Sequence, residues 1–582
     1  MARQQAPVST TNFKLPTTSS MSPTPLREVL ARIDARGADP VWLSHVPHSE
    51  VRAYAATAGE NSAARPLAGV PFGIKDNIDL AGLPTTAACP DFAYTPAESA
   101  PVVQRLVDAG AVPLGKTNLD QFATGLVGVR SPYGVPKNPY GAAYLPGGSS
   151  SGSAVAVAAG LCDFALGTDT AGSGRVPAAF NNLVGLKPTR GLLSTRGVVP
   201  ACRTLDCVSI FTRTVAAAAE VLSVAAAYDP EDPYSRPAAP PVVDESWPPR
   251  VGVPRADQLE FFGNSAAAAL FATAVERWKL LGAKIVEVDF APFLAAARLL
   301  YEGPWVAERY AAIRDFIEAK PEALHPVTRK IIEGAKPLTA VGAFDAMYKL
   351  AALRRQTEAV WANIDVLLTP TTGTIYTVAE VEADPVRLNS NLGYYTNYLN
   401  LLDLCAIAVP AGFLPNGLPW GVTLVAPAFC DDRVLRLGAK FLGEPAPVCA
   451  LPPAGPSTLV AVCGAHLSGL PLNWQLTQIG ATLERTTRTA PTYKLYALPG
   501  TTPPKPGMIR VAEGGGAIEV EVWRVPLSGY GRFVAGIPAP LGIGTITLED
   551  GTSVQSFVCE ALAVQGARDV TSFGGWRTFL RS

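Results

Sequence analysis

The feature that most constrains the fold is an alternation of short apolar runs with helical segments. The apolar runs Val70–Lys75 and Val112–Lys116 flank Val102–Ala109, whose apolar spacing is helical and which is followed by a glycine. Further apolar runs follow at Phe164–Gly167 and Leu183–Leu186. Strands that alternate with helices are typical of a sheet covered by helices. The first part of the chain is therefore predicted to have an α/β fold.

The chain is predicted to divide into two domains joined by a linker. Residues 444–457 are dense in proline and lack periodicity, which is typical of a linker. Residues 458–582 contain short strand-like runs separated by glycine turns, and they are predicted to form a separate, smaller α+β or mainly β domain. Residues 25–443 form the first domain, preceded by a polar, flexible leader at residues 1–24. A length of 582 residues agrees with more than one core.

Composition and charge argue against several classes of protein. The net charge of −1 gives no electrostatic basis for binding nucleic acid or an anionic membrane. The sequence has no run of 18 uninterrupted apolar residues, and its leader lacks the apolar centre of a signal peptide. Nine cysteines without paired spacing predict reduced thiols in a cytoplasm. Cys202 and Cys207 are the closest pair, and no companion pair or histidine cluster completes a metal site, so no metal is expected.

Two glycine-flanked serine segments, Gly147–Ser153 and Gly167–Arg175, indicate acyl-transfer chemistry. Glycines let the backbone approach a reacting group closely, and neighbouring N–H groups are then free to face a developing negative charge. The sequence has four histidines and none lies near these segments, so a serine such as Ser173 needs another base. A buried, neutral lysine can serve, and Lys75 at the end of an apolar run is the candidate. The alternative is that Lys75 is a paired surface lysine at a strand end.

These segments, together with Gly69–Asn77, resemble the amidase signature family. The resemblance spans roughly residues 25–440 and includes Ala178–Phe180, Val184–Thr189 and Gly417–Pro419. Several ordered motifs over such a length are far more specific than a lone glycine loop. The resemblance implies an amidase-signature fold with a mixed central sheet covered by helices, and it implies that the chain is an amidohydrolase of linear carbon–nitrogen bonds.

The resemblance also implies roles for particular residues. The family uses a Ser–cis-Ser–Lys triad, which places the nucleophile at Ser173, the bridging serine at Ser149 and the base at Lys75. The cis peptide bond of the family would lie between Gly148 and Ser149. The oxyanion hole would be formed by backbone N–H groups of Thr170, Ala171, Gly172 and Ser173. Ala171 and Gly174 depart from the commoner glycine and isoleucine of this motif, and Ala171 keeps its N–H in a usable position only if its backbone tolerates a Cβ.

A segment further along the chain, Leu300–Tyr310, resembles the allophanate hydrolase branch of the family. The resemblance implies that Tyr301 and Arg309 hold a substrate carboxylate, a group that suits the planar fork of arginine. On one helix, eight residues is a little over two turns, so both side chains are expected to share a face. The alternative is a packed helix with a surface arginine.

The C-terminal region carries a second resemblance to the same branch. Gly464–Asn473, Tyr493–Leu498 and Gly542–Gly544 resemble the second domain of allophanate hydrolases, which has a γ-glutamylcyclotransferase-like fold. In some members that domain is implicated in breaking down the first product, N-carboxycarbamate, to ammonia and carbon dioxide. His466 is then its candidate catalytic residue, although a lone histidine in a glycine-rich loop is equally compatible with a structural role.

The expected function is hydrolysis of allophanate, the carboxylated form of urea, without a cofactor. The resemblance implies a cytoplasmic homodimer linked to a separate urea carboxylase or to a cyanuric acid/biuret pathway. A general amidase, or a glutamine-hydrolysing amidotransferase subunit of the same family, is the alternative enzyme. A regulatory protein on an inactive amidase fold is the alternative outside enzymology, and the presence of Lys75, Ser149 and Ser173 argues against it.

Overall fold

The structure is a computed structural model that describes residues 21, 23–37, 39–59, 65–238, 248–447, 449 and 457–582. Most of the predicted leader at residues 1–24, and residues 448 and 450–456 of the predicted linker, lie outside the described residues.

One large mixed sheet organises the described residues before the linker. In chain order its strands are β1 (Trp42–His45), β2 (Pro71–Lys75), β3 (Val112–Thr117), β4 (Phe164–Asp169), β5 (Val184–Lys187), β6 (Cys207–Thr212), β7 (Arg250–Pro254), β8 (Lys284–Val288), β9 (Val366–Pro370), β10 (Leu404–Phe413) and β11 (Pro419–Pro427). Their order across the sheet is β1-β3-β2-β4-β6-β5-β10-β11-β9-β7-β8. The strand β2 runs parallel to both β3 and β4, whereas β4 and β6 are antiparallel.

Helices accompany this sheet along the chain. They are α1 (Leu26–Arg36), α2 (His48–Gly59), α3 (Pro101–Asp108), α4 (Ser151–Ala158), α5 (Val176–Phe180), α6 (Val215–Ala225), α7 (Ser265–Leu280), α8 (Ala291–Glu302), α9 (Trp305–Ala319), α10 (Pro326–Glu333), α11 (Ala340–Glu358), α12 (Val378–Ala383), α13 (Arg387–Leu392) and α14 (Asp431–Leu442). Mixed strands with helices in alternation confirm the predicted α/β class.

The parallel pair β2 and β4 positions the site. Phe72 pairs with Phe164 and Ile74 with Leu166, so the carboxyl ends of both strands meet at one edge of the sheet. In open α/β sheets, loops at this edge form ligand sites. All residues of β2 and β4 are buried, and the side chains of Phe72, Ile74 and Phe164–Leu166 belong to a large apolar core that also contains the Ala/Val side chains of α4. A rigid, fully buried platform therefore carries the loops that follow Lys75 and Asp169.

The residues after the linker form two smaller sheets with a core of their own. In chain order the elements are β12 (Ser457–Val462), α15 (Trp474–Thr477), β13 (Thr482–Arg488), β14 (Tyr493–Ala497), β15 (Pro506–Arg510), β16 (Glu519–Pro526), α16 (Leu527–Ala535), β17 (Leu541–Thr547), β18 (Ser553–Cys559), β19 (Arg568–Asp569) and α17 (Trp576–Leu580). The sheet orders are β13-β16-β12-β18-β17 and β15-β14-β19. Among the residues that the structure describes, the apolar core of these two sheets draws its side chains from Leu459 to Phe579.

Two general properties bear on the chemistry. Within the residues that the structure describes, none of the helices is both long enough and apolar enough to cross a membrane. All nine cysteines of the sequence lie among these residues as free thiols, six buried and three half-buried. Burial raises the pKa of every one of these thiols.

Candidate active site

Lys75 ends β2 and is fully buried. Its Nζ lies 2.7 Å from the Ser149 Oγ and 2.7 Å from the Thr168 Oγ1. Because burial disfavours the charged ammonium, the pKa of Lys75 falls from 10.5 to about 7. The alternative of a paired surface lysine is wrong, and the neutral amine is available near neutral pH.

Four buried charges act on this amine. Asp120, Asp206 and Asp169 raise the pKa of Lys75, whereas Arg309 lowers it. Desolvation outweighs all three carboxylates, which is why the pKa remains far below that of an exposed lysine. Lys75 therefore lies close enough to Arg309, the candidate carboxylate-binding residue, and to Asp169 at the end of β4 for their charges to change its pKa.

Ser149 is held in a short turn ahead of α4. The peptide bond between Gly148 and Ser149 is cis, as the family resemblance implies. On the other side of Ser149, the Ser150 Oγ donates to the Thr168 carbonyl at 3.2 Å, and the Ser153 Oγ donates to the Leu166 carbonyl at 2.9 Å. Hydrogen bonds from Ser150 and Ser153 therefore connect the start of α4 to β4. They leave the Ser149 hydroxyl in contact with Lys75.

Ser173 lies in the turn after β4 and is 3 % exposed. The Asp169 carboxylate closes this turn, because it accepts hydrogen bonds from the Gly174 N–H at 3.0 Å and from two nitrogens of Arg175, each at 2.9 Å. The Asp169–Arg175 pair is fully buried and shapes the loop. The Ser173 Oγ lies 3.5 Å from the Gly125 carbonyl oxygen.

Backbone N–H groups of the same turn are free to receive an anion. Within the described part of the chain, the N–H groups of Ala171, Gly172 and Ser173 have no hydrogen-bond acceptor. Ala171 is outside the left-handed region, so its Cβ is accommodated, whereas Gly172 has φ +144°. The Thr170 hydroxyl donates to the buried Asp206 carboxylate, which fixes the start of this turn. The geometry is that of an oxyanion-binding turn.

The loop of residues 120–130 brings the two serines to one place. The Gly148 N–H, immediately before Ser149, donates to the Leu126 carbonyl at 2.9 Å, and Ser173 contacts the carbonyl of the adjacent Gly125. Asp120 closes the loop by accepting from N–H groups of three residues, Val127, Gly128 and Arg130. Lys75, Ser149 and Ser173 are thus assembled by β2, the start of α4, the turn after β4 and this loop.

Tyr301 and Arg309 do not lie on one helix, so that prediction is wrong. Tyr301 is near the end of α8 and Arg309 is in α9, and Gly303 and Pro304 separate the two helices. Proline lacks an N–H and glycine loses much backbone entropy in a helix, so this pair breaks the helix there. The side chains nevertheless meet, since the Arg309 guanidinium carbon lies 5.5 Å from the centroid of the Tyr301 ring.

The Arg309 guanidinium is buried but only partly satisfied. The residue is 2 % exposed, and its Nη1 donates to the Ala123 carbonyl at 3.4 Å and to the Thr124 Oγ1 at 3.2 Å. Among the described residues, its Nε and Nη2 have no acceptor. Tyr301 lines a cavity of about 280 Å³ with Arg130. A buried guanidinium with two free donors, close enough to Lys75 to influence its pKa, is suited to an anionic ligand.

His466 lies in the C-terminal domain, between β12 and α15. Its Nε2 is 2.8 Å from the Gln475 Oε1, and its ring stacks on Phe557 with centroids 4.8 Å apart. Burial lowers the pKa of His466, so the imidazole is neutral at pH 7. It lines a cavity of about 180 Å³ with Lys505, a cation that can face an anion.

Sequence reasoning missed three residues of the site. Thr168 accepts a hydrogen bond from Lys75, and Thr124 accepts one from Arg309. Asp206 accepts a hydrogen bond from Thr170 at the start of the turn after β4. Thr168 could have been noticed because it lies inside the glycine-flanked segment that contains Ser173. Thr124 and Asp206 have no characteristic sequence spacing from that segment, because only the tertiary fold brings them to the site.

A family model for amidases matches residues 26–435. The chain belongs to the amidase family. A second model, for the allophanate hydrolase C-terminal domain, matches residues 458–581. The sequence-based prediction of an amidase followed by that domain is confirmed, and with it the assignment to hydrolases of carbon–nitrogen amide bonds.

Individual relatives of this amidase differ in how much of the chain they cover. The chain is 43 % identical to the allophanate hydrolase of Kluyveromyces lactis, with a TM-score of 0.77 over 96 % of this chain and 97 % of that one. It is 44 % identical to the urea amidolyase of Saccharomyces cerevisiae over 96 % of this chain, but it spans about a third of that relative's length. A subunit of the glutamyl-tRNA(Gln) amidotransferase of Synechococcus is 36 % identical over 74 % of this chain and 95 % of its own length.

Proposed function

We propose that the chain hydrolyses allophanate, first to N-carboxycarbamate and ammonia in the amidase domain and then to ammonia and carbon dioxide with the help of the C-terminal domain. The observation that carries the proposal is the buried Arg309, whose Nε and Nη2 lack acceptors among the described residues. Its charge acts on Lys75, which is bonded to Ser149. A small amide that carries a carboxylate fits this site, because its carboxylate can pair with Arg309 and its amide carbonyl can react at the serines.

In the first step Ser173 attacks the terminal carbonyl of allophanate. The Ser173 proton passes to Ser149, and the proton of Ser149 passes to neutral Lys75. The carbonyl oxygen becomes an oxyanion that accepts hydrogen bonds from the N–H groups of Thr170, Ala171, Gly172 and Ser173. When the tetrahedral intermediate collapses, the C–N bond breaks, the proton returns through Ser149 to the leaving nitrogen, and ammonia departs.

The carboxylate of the acyl group is held by Arg309 and Tyr301. The free Nε and Nη2 of Arg309 form a fork that suits two carboxylate oxygens, and the Tyr301 ring lies against the guanidinium. Binding at this end orients the amide carbonyl toward Ser173. An exposed arginine would contribute little binding energy, because water already solvates its charge. The buried Arg309 gains more from a substrate carboxylate, because its charge has no anionic partner until the substrate binds.

Water then attacks the acyl-enzyme with the help of the same groups. Its proton passes through Ser149 to Lys75, and when the ester bond breaks a proton returns from Lys75 through Ser149 to the Ser173 oxygen, so that N-carboxycarbamate is released and the free serine is restored. Loss of carbon dioxide and protonation of the resulting carbamate give the second ammonia and second carbon dioxide. His466 is neutral and half-buried, and it lines a cavity together with Lys505. It is the residue that promotes the breakdown of N-carboxycarbamate.

The enzyme works without a cofactor as a cytoplasmic homodimer, supplied with allophanate by a urea carboxylase or a cyanuric acid/biuret pathway. Support comes from the free thiols, from the family resemblance, and from urea amidolyases among the relatives. The competing function is that of a general amidase or of a glutamine-hydrolysing amidotransferase subunit, because a glutamyl-tRNA(Gln) amidotransferase is also represented among the relatives.

Ammonia release from allophanate, glutamine, malonamate and acetamide tests the proposal. We expect allophanate to be the preferred substrate, with two ammonia molecules per allophanate. Ser173→Ala should lose at least about a thousandfold in kcat/KM. The control is Ser209→Ala, which removes a buried hydroxyl without a hydrogen-bond partner in the described structure and should change little. Hydrolysis of glutamine but not allophanate, or equal activity of Ser173→Ala and wild type, would contradict the proposal.

A further inference from the structure

The loop of residues 120–130 contacts the nucleophile and the substrate-binding arginine at adjacent positions. The Thr124 Oγ1 accepts a hydrogen bond from the Arg309 Nη1 at 3.2 Å. The next residue, Gly125, presents its carbonyl oxygen 3.5 Å from the Ser173 Oγ. Neighbouring Cα atoms are about 3.8 Å apart. The Thr124–Gly125 peptide unit therefore links the position of the Arg309 guanidinium to that of the Ser173 hydroxyl.

A second buried arginine, Arg130, restrains this peptide unit through hydrogen bonds. The Arg130 Nη1 donates to the Thr124 carbonyl at 2.8 Å, and its Nη2 donates to the Pro385 carbonyl at 2.6 Å. Arg130 is 1 % exposed. Both of these Nη groups bind carbonyl oxygens rather than a carboxylate, so they restrain the backbone of the loop.

The loop also has little freedom to shift. The Asp120 carboxylate accepts from backbone N–H groups at three positions of the loop, and it packs against Gly125. Gly125 has φ +157°, and a Cβ there would lie 2.6 Å from an Asp120 carboxylate oxygen. The conformation around Thr124 is therefore set by Asp120 on one side and by Arg130 on the other.

We propose that Thr124 is a specificity-determining positioning residue: its hydroxyl fixes the Arg309 guanidinium at a set distance from Ser173, and Arg130 clamps its carbonyl. The inference rests on the proposed function, because it requires Arg309 to bind the substrate carboxylate. The Thr124 hydroxyl occupies one guanidinium nitrogen and thereby directs the remaining two toward the ligand. An amide without a carboxylate does not need this contact.

The test compares Thr124→Val with Thr124→Ser on malonamate and malonamide, which differ in a carboxylate against a carboxamide. Thr124→Val should lower kcat/KM for malonamate by about tenfold or more, mainly by raising KM, and should lower kcat/KM for malonamide by a much smaller factor. Thr124→Ser keeps the hydroxyl and should restore malonamate hydrolysis. Thr328→Val is the matched control, because Thr328 is buried with a hydroxyl that lacks a partner in the described structure.

A binding measurement separates this inference from the proposed function. Calorimetry with malonamate should show binding to the Ser173→Ala chain and about tenfold weaker binding once Thr124→Val is added. No binding to Ser173→Ala, equal binding by both chains, equal kinetic losses on malonamate and malonamide, or a Thr124→Ser chain that behaves like Thr124→Val would each overturn the inference. Absence of ammonia release from allophanate, with malonamate binding intact, would overturn the proposed function alone.

Discussion

At the scale of single residues, the protonation of Lys75 decides whether the cluster can work. The proposed reaction begins with transfer of a serine proton to this amine, and a protonated amine cannot accept it. Removing the amine from water lowers its pKa far enough that no histidine is needed. Three carboxylates limit the shift, so the amine stays basic enough to take the proton at neutral pH.

The pH dependence of acylation follows from this balance. With malonamate, kcat/KM should rise with pH through about 7, because Lys75 is protonated below that value and neutral above it. Asp206→Asn removes a charge that raises the pKa of Lys75, so the midpoint should move to lower pH. Lys75→Met should be inactive across the range and no less stable in thermal unfolding, because it relieves burial of an ionisable group. A pH profile with the same midpoint in wild type and Asp206→Asn would count against this assignment of the base.

At the scale of secondary-structure elements, sequence predicted those parts of the site that local patterns encode. Buried apolar strands such as β2 and β4, and the glycine-flanked turn around Ser173, are local signals. Sequence did not predict β13, because its residues are mostly polar and exposed and show no apolar alternation. The break between α8 and α9 is encoded by Gly303-Pro304, a helix-breaking dipeptide that an argument from the eight-residue spacing alone does not include.

That helix break can be tested directly. A Cβ at Gly303 would overlap the carbonyl oxygen of Leu299, so Gly303→Ala must shift the end of α8 and with it Tyr301. Since small misplacements of binding groups are costly, we expect kcat/KM for allophanate to fall about ten- to a hundredfold. Gly342→Ala, a helical glycine in α11 with room for a Cβ, should leave the kinetics unchanged. Equal kinetics for Gly303→Ala and wild type would show that the α8 end does not position the site.

At the scale of the whole molecule, the two parts of the chain have separate apolar cores. One set of buried side chains surrounds the large mixed sheet, and another surrounds the sheets after the linker. Each part can therefore be expected to fold around its own core. Glu444 belongs to the first part, since its carboxylate accepts the N–H groups of Val215 and Ala216 at the start of α6.

A chain that ends after residue 449 keeps this contact and should retain the first reaction. We expect it to release one ammonia per allophanate at the wild-type rate and the second only slowly, whereas the full chain releases two together. His466→Ala in the full chain should resemble the truncated protein. Circular dichroism checks that both are folded. A folded, truncated protein that releases no ammonia would refute the proposed division of labour.

The nine free thiols have a consequence for chemical labelling. Electrophilic probes react with thiolates, and burial raises the pKa of each cysteine here, so all nine are held protonated at neutral pH. In the proposed mechanism the Ser173 hydroxyl is activated through Ser149, which is hydrogen-bonded to the Lys75 amine, and it is then the nucleophile that a small acylating reagent is expected to meet. Carbamate or fluorophosphonate probes should therefore mark Ser173 selectively, which would allow the active fraction of a preparation to be counted by mass spectrometry without blocking its cysteines.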